Sequence, residues 1–242
     1  MWKKIQCALF ACILCMAVTA VGAAQESDVV QAAEKPERIE LVLVLDKSGS
    51  MAGLESDTIG GFNAMVEKQK ELALPVRVTT VLFNDEREML YERKDIQRVR
   101  PLTAKEYEVG GTTALLDAVG TTILTLEQTG AAARTGTKVI FVIITDGMEN
   151  ASTEFTKAKV KQMISEKQEK AGWDFIYLGA NIDAVEEADA IGVDRAKAVT
   201  YRNTESGVRA NYDAVAAYVE EAAEGSAASG KWKERVERDT SK

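Results

Sequence analysis

The chain has 242 residues, of which 46% are hydrophobic, which suits one α/β domain with short terminal extensions and excludes global disorder. It carries 30 basic and 38 acidic residues, a net charge of −8, and no histidine. The acidic balance argues against non-specific binding to nucleic acid or anionic lipid. The absence of histidine excludes Ser-His-Asp and Cys-His catalysis and zinc sites built on histidine.

Residues 1–24 have the pattern of a secretory signal peptide. Lys3 and Lys4 precede a mostly apolar run from Ile5 to Ala24, and Val21-Gly22-Ala23 places small residues at a cleavage position. An uncleaved membrane anchor is the alternative, because about 20 apolar residues are just enough to span a bilayer. In both cases we expect the body of the protein to be secreted, periplasmic or otherwise outside the cytoplasm, with membrane contact only through an uncleaved leader.

All three cysteines lie in this leader, at Cys7, Cys12 and Cys15. The remaining chain therefore has no thiol and depends on a conventional hydrophobic core rather than on disulfides. Without residues 1–23 the net charge is −10. Residues 25–37 are polar and form a predicted linker.

Beyond the linker, apolar strands alternate with amphipathic helices. The first element is a buried strand over residues 39–45, apolar except for one glutamate. Apolar residues on one helical face predict a helix over residues 57–72. Residues 76–83 form the next strand, and after a turn the more polar segment 87–91 returns as an edge strand.

The same alternation continues to residue 223. A helix that includes Leu116 and Leu126 ends near Gly130, and the small, polar residues 130–137 form a loop. A second strongly apolar strand covers 139–144, and the next helix includes Phe155 and Ile164 and ends at Gly172. The remaining predicted elements are a strand over 175–178, a short helix over 184–191, a weaker strand over 198–201 and a helix over about 205–223. Residues 225–242 are expected to form a polar, frayed tail.

Strands separated by helices imply right-handed crossovers and a mostly parallel sheet with helices on both faces. The segment 87–91 would lie antiparallel at one edge. The sequence therefore predicts a doubly wound α/β domain over residues 38–224. In such sheets, ligands bind beyond the carboxyl ends of the strands, at the point where the strand order reverses.

Three loops bring oxygen-bearing side chains to this end of the predicted sheet. The first apolar strand runs into Asp46-Lys47-Ser48-Gly49-Ser50, the second runs through Thr145 into Asp146-Gly147, and Gly110-Gly111-Thr112-Thr113 opens a helix between them. A set of oxygen donors with two carboxylates suits a hard cation, and Mg²⁺ more than Ca²⁺, which usually takes more carboxylates. Glu149 and Asn150 are expected to lie in a solvated loop nearby.

Asp-x-Ser-x-Ser, followed in order by a Gly-Thr loop and a strand-ending Thr-Asp-Gly, resembles the metal ion-dependent adhesion site (MIDAS) of the von Willebrand factor A (VWA) family. The resemblance extends over about residues 38–224 and looks closest to small stand-alone bacterial members. It implies a metal site of five residues: Asp46, Ser48, Ser50, Thr112 and Asp146. Thr113 is the alternative to its neighbour Thr112. The implied cation is Mg²⁺, with Mn²⁺ or Ca²⁺ as alternatives.

The resemblance also implies the function of a metal-dependent, adhesion-type binding module and not of an enzyme, with no catalytic residues. Ser48 and Ser50 would bind the ion directly, whereas Asp46 and Asp146 would act largely through water or as charge partners. An Asp or Glu of a protein partner would then complete the coordination. The cation would offset the repulsion between that acidic group and a chain of net charge −10.

Two other functions remain open at this point. A Mg²⁺-dependent phosphoryl-transfer enzyme of the haloacid dehalogenase-like type also has a strand-ending aspartate, but it needs a second aspartate where this chain has Ser48. A structural or scaffold component of an envelope assembly would need no working metal site. Asp46 and Asp146 would then only cap helices or turns, for which aspartate is favoured.

Overall fold

The computed structural model describes residues 35–180, 182–226 and 230–240, so the predicted signal peptide and most of the linker lie outside the described residues. Six strands form one sheet in the order β3-β2-β1-β4-β5-β6. Their bounds are β1 (Arg38–Asp46), β2 (Val76–Phe83), β3 (Arg87–Asp95), β4 (Thr137–Thr145), β5 (Asp174–Ala180) and β6 (Ala198–Tyr201). All neighbouring strands are parallel except β2 and β3. This confirms the predicted sheet with one antiparallel edge strand.

Helices cover both faces of the sheet, as the alternating sequence predicted. They are α1 (Glu55–Gln69), α2 (Leu115–Thr129), α3 (Lys157–Ala171), α4 (Ala184–Ala190), α5 (Glu205–Ala223) and α6 (Glu234–Thr240). Leu41, Leu43 and Leu45 of β1 share a core with α1, α5 and α6. Val42 and Val44 share the opposite core with α2, α3 and α4. The central strand is therefore buried on both sides, which explains its continuous apolar run.

Several boundaries differ from the sequence prediction. Helix α1 covers 55–69 rather than 57–72, β3 extends to Asp95, and a short 3₁₀ turn lies within the predicted loop 130–137. Phe155 is not part of a helix, because Thr156 caps α3 after it. Its ring instead packs against Gly120 of α2, where an added Cβ would come within 2.5 Å of the ring.

The expectation of a frayed tail was wrong for residues 230–240. Trp232 and Val236 are buried, and the Trp232 ring packs edge-on against Tyr218 of α5 at a centroid distance of 5.4 Å. Two apolar residues in a polar segment are too few to produce a recognisable period, so only their tertiary contacts reveal the short helix α6. In the described part of the chain, no helix is both long enough and apolar enough to cross a membrane.

The single glutamate of β1 is held by an arginine from the edge strand. Glu40 is 2% exposed and accepts two hydrogen bonds from the Arg93 guanidinium, at 2.7 and 3.1 Å. Arg93 has a φ of +45° and lies where the β2–β3 register is irregular. The irregularity allows a side chain of β3 to reach across β2 to β1. This bidentate pair neutralises a carboxylate that would otherwise be buried alone.

We expect Arg93→Lys to lower the free energy of unfolding by about 1–2 kcal/mol, because the lysine ammonium keeps the charge but cannot make the bidentate hydrogen bonds to Glu40. Urea unfolding followed by circular dichroism measures the change. Arg87→Lys, on the exposed start of the same strand, is the matched control and should change stability by less than about 0.5 kcal/mol. Equal stability of Arg93→Lys and the wild type would mean that the pair contributes nothing beyond its charge.

Candidate metal centre

The strand order places the two predicted aspartates at the point where the sheet reverses direction. From β1 the chain goes to β2 on one side, whereas β4 lies on the other side and leads on to β5. Asp46 is the last residue of β1, and Asp146 follows the last residue of β4. After these adjacent parallel strands the chain continues to α1 on one face of the sheet and to α3 on the other, and ligands in such sheets usually bind at this point.

Asp46 is almost completely buried and is fixed by hydrogen bonds. Its Oδ1 accepts the Ser48 backbone N–H at 2.7 Å, and its Oδ2 accepts the Thr145 hydroxyl at 2.5 Å. The buried Tyr107 hydroxyl donates to the Asp46 backbone carbonyl. These contacts fix both the carboxylate and the start of the loop that carries the two serines.

The serines connect Asp46 to Asp146 through a chain of polar contacts. Ser48 Oγ lies 3.1 Å from Ser50 Oγ, and Ser50 Oγ donates to Asp146 Oδ1 at 2.5 Å. The other Asp146 oxygen accepts the Asn203 side-chain N–H at 3.1 Å. Sequence reasoning missed Asn203, which follows the weak strand β6 and has no motif of its own. The structure thus brings four of the five predicted residues together and adds one amide.

The structure places the two adjacent threonines in different surroundings. Thr112 is exposed, and its backbone N–H donates to Asp85. Thr113 is 2% exposed, and a Cβ built on Gly147 would lie 2.8 Å from Thr113 Oγ1 and 3.3 Å from Ser50 Oγ. The Thr113 and Ser50 hydroxyls thus both lie close to Gly147, whereas Thr112 is exposed.

Glu149 and Asn150 lie in a loop, as expected, with Asn150 exposed and Glu149 half-buried, but both also make hydrogen bonds that the sequence did not predict. Asn150 and Thr113 are joined by two hydrogen bonds. The Asn150 Oδ1 accepts the Thr113 backbone N–H at 2.9 Å, and the Asn150 backbone N–H donates to the Thr113 carbonyl at 3.0 Å. Glu149 accepts the backbone N–H groups of Leu116, in the first turn of α2, and of Ser152. Both residues therefore position the threonine loop against the loop that follows β4.

Electrostatics in the centre disfavour two charged carboxylates. Burial raises the pKa of the Asp46 carboxyl above its ordinary value of 3.8, and the nearby Asp146 charge raises it further, against the hydrogen bonds from Thr145 and Ser48. Burial also raises the pKa of Asp146, against the hydrogen bonds from Ser50 and Asn203. A cation in this position would compensate both charges.

The donor chemistry fits a hard divalent cation. Two carboxylates and three hydroxyls lie at this end of the sheet, and every side-chain donor among them is oxygen. Within the described residues, there is no cluster of three or more His, Cys, Asp or Glu side chains that would hold a metal by themselves. The hydroxyls of Ser48, Ser50 and Thr113 would therefore have to supply part of the coordination shell.

A cluster of oxygen-bearing side chains at the switch point of a doubly wound sheet is typical of an α/β domain that binds a ligand there. The family model of the von Willebrand factor type A domain matches residues 40–212, and the chain belongs to this family. Domains of this family are in general metal-dependent, protein-binding modules and not enzymes. A comparison with curated protein sequences found no match.

Solved structures with the same fold come from distant proteins. Proximal thread matrix protein 1 from the mussel byssus, described with a zinc-occupied MIDAS motif, has a TM-score of 0.54 and 14% identity, covering 76% of this chain and 46% of that one. The PilB minor pilin from Streptococcus sanguinis has a TM-score of 0.52 and 12% identity, covering 77% and 62%. A von Willebrand factor type A protein from Catenulispora acidiphila has a TM-score of 0.51 and 15% identity, covering 78% and 43%. The chain thus spans about half the length of these proteins, and the likeness concerns the fold.

Proposed function

We propose that this protein is an exported binding module in which one divalent cation, preferably Mg²⁺, captures an acidic group of a protein partner. The residues that would hold the cation are Asp46, Ser48, Ser50, Thr113 and Asp146. The observation that carries the proposal is the contact chain from Asp46 through the two serine hydroxyls to Asp146, at the open end of the sheet.

The burial of the donors supports an ion that stays accessible from outside. Asp46 and Ser48 are each 1% exposed, whereas Ser50 is exposed at the rim. A cation held by these residues would thus have the buried carboxylates on its protein side and the Ser50 hydroxyl on its solvent side. When bound, the cation supplies a positive, Lewis-acidic centre at an otherwise acidic surface. The zinc-occupied MIDAS motif described for the mussel byssus protein is consistent with a cation in this position, but the choice of Mg²⁺ rests on the donor chemistry alone.

The environment of Asp46 argues against phosphoryl transfer. A nucleophilic aspartate must present a free oxygen to the substrate, but both Asp46 oxygens accept internal hydrogen bonds and the side chain is almost completely buried. Ser48 also stands where the second aspartate of such phosphatases is required. A scaffold role without a working metal site remains the second candidate, and partner binding that survives chelation would favour it.

A phage-displayed random peptide library tests the proposal. The library is panned on the full chain in Mg²⁺ or Mn²⁺, and bound phage are eluted with EDTA. We expect the eluted peptides to be enriched in Asp or Glu on the wild type and on Ser56→Ala, an exposed α1 serine outside the centre. Ser50→Ala should lose this enrichment, because it removes the rim hydroxyl. Peptides that bind equally in EDTA, or equally to Ser50→Ala, would contradict metal-dependent capture.

A further inference from the structure

A large apolar side chain is exposed directly beside the candidate metal centre. Met148 follows Asp146 by two residues and is 61% exposed. Among the described residues, only one other large hydrophobic side chain is exposed, Leu124 at 40%. Leu124 lies in the third turn of α2, about 14 Å along the helix from its start beside the centre. Single exposed hydrophobic residues are common on protein surfaces, so the position of Met148 matters more than its exposure.

The backbone on both sides of Met148 is fixed by hydrogen bonds. Before it, the Gly147 N–H donates to the Thr145 hydroxyl at 3.1 Å, and the same hydroxyl contacts the Gly147 carbonyl. After it, Glu149 binds the start of α2 and Asn150 binds Thr113 in both directions. The Glu149 and Asn150 side chains that follow Met148 thus hold the loop in place, and Gly147 before it has no side chain. Met148 is therefore the large apolar side chain exposed on this segment, whose backbone is held by hydrogen bonds on both sides.

We infer that Met148 is a specificity-determining contact of the metal centre, which selects partners with an aliphatic side chain one or two residues from the captured carboxylate. This inference rests on the proposed function. Two residues of extended chain span at most about 7 Å, so Met148 lies within that reach of Asp146. In an extended partner segment whose acidic side chain binds the cation, the residues one or two positions away lie within the same reach of about 7 Å from the acidic residue. A flexible thioether side chain adapts to aliphatic groups of different shape.

Contact with such a neighbour would remove apolar surface from water on both sides, which a charged or polar neighbour would not do. The acidic group would then determine metal dependence, and the aliphatic neighbour would determine which acidic segments bind. The two contributions are separable, because Met148 is not among the residues that would hold the cation.

The test uses one peptide selected on the wild type by panning in Mn²⁺ with EDTA elution, and its variant with the aliphatic neighbour changed to Ser. Both are titrated against the wild type, Met148→Ser and Leu124→Ser in Mn²⁺. We expect Met148→Ser to weaken binding of the original peptide about tenfold, or about 1.4 kcal/mol. The Ser peptide should bind the wild type equally weakly, with no further loss on Met148→Ser. Leu124→Ser should bind like the wild type, and Mn²⁺ affinity should be the same in all three proteins.

The outcomes separate the inference from the function on which it rests. Two results would overturn the role of Met148 and leave metal-dependent capture intact. In the first, the selected acidic peptides have no aliphatic residue next to the acidic one. In the second, the original peptide binds Met148→Ser and the wild type equally. A loss of Mn²⁺ affinity in Met148→Ser would also overturn it, since the variant would then act through the metal. If EDTA releases no acidic peptide, the proposed function fails and the inference fails with it.

Discussion

In the absence of metal, Asp146→Asn is expected to unfold about 2–4 °C above the wild type, which corresponds to about 1 kcal/mol for a domain of this size. The same variant should lose about 10–100-fold in affinity for Mg²⁺ or Mn²⁺, the usual cost of removing a partner that acts on the ion through water or by its charge. Calorimetric titration of each cation and thermal unfolding with EDTA or Mg²⁺ measure the two effects. Stability and metal binding should therefore change in opposite directions.

The reason is the cost of two charged carboxylates in one buried centre. Burial raises the pKa of both Asp46 and Asp146 above the ordinary value of 3.8, and their mutual repulsion adds to the shift for Asp46. The folded state consequently binds more protons than the unfolded state as the pH rises above 3.8, so the stability of the metal-free protein falls over that range. Asparagine removes one charge and should make this fall smaller. Acidification should weaken metal binding, because the cation competes with protons for the same oxygens.

Asparagine is the appropriate replacement because it can keep both hydrogen bonds of Asp146. Its amide N–H can donate to the Ser50 hydroxyl, and its oxygen can accept the Asn203 N–H. Asp213→Asn, on the helix α5, is a matched control outside the centre and should bind the cation like the wild type. Metal binding by Asp146→Asn with wild-type affinity would contradict the assignment of Asp146.

Thr113→Val should lower the affinity for Mg²⁺ or Mn²⁺ by about 10–100-fold, whereas Thr112→Val should leave it unchanged. Valine keeps the shape of threonine but lacks the hydroxyl, and the Thr113 hydroxyl lies close to Gly147, as that of Ser50 does, whereas Thr112 is exposed. The backbone hydrogen bonds between residue 113 and Asn150 do not involve the lost hydroxyl and should persist. The same calorimetric titration measures both variants.

Thr112→Val is itself the control, because the adjacent residue is exposed and contacts Asp85 only through its backbone N–H. Melting temperatures in EDTA show whether Thr113→Val disturbs the fold apart from the metal. The reverse result, in which Thr112→Val loses the cation and Thr113→Val keeps it, would assign the threonine of the metal site to Thr112, as the sequence predicted.

The sequence by itself determined the fold and the end of the sheet at which the centre lies. The short apolar runs of β1 and β4 indicated strands buried on both faces, and the helices between strands indicated parallel pairing. In a parallel sheet the carboxyl ends of neighbouring strands meet at one edge. Asp46 at the end of β1 and Asp146 just after β4 were therefore expected to lie close together.

Only the tertiary structure decided which neighbouring side chains join that edge. Thr112 and Thr113 are adjacent and chemically identical, and the orientation of their loop, fixed through Asn150, places the second hydroxyl beside Gly147. Asn203, 57 residues further along the chain and just after β6, reaches Asp146, and Arg93 reaches Glu40 across an intervening strand. Such contacts depend on side-chain direction between elements far apart in sequence. Periodicity and spacing indicate which face of a helix or strand a residue occupies, but not which side chains from distant elements contact it there.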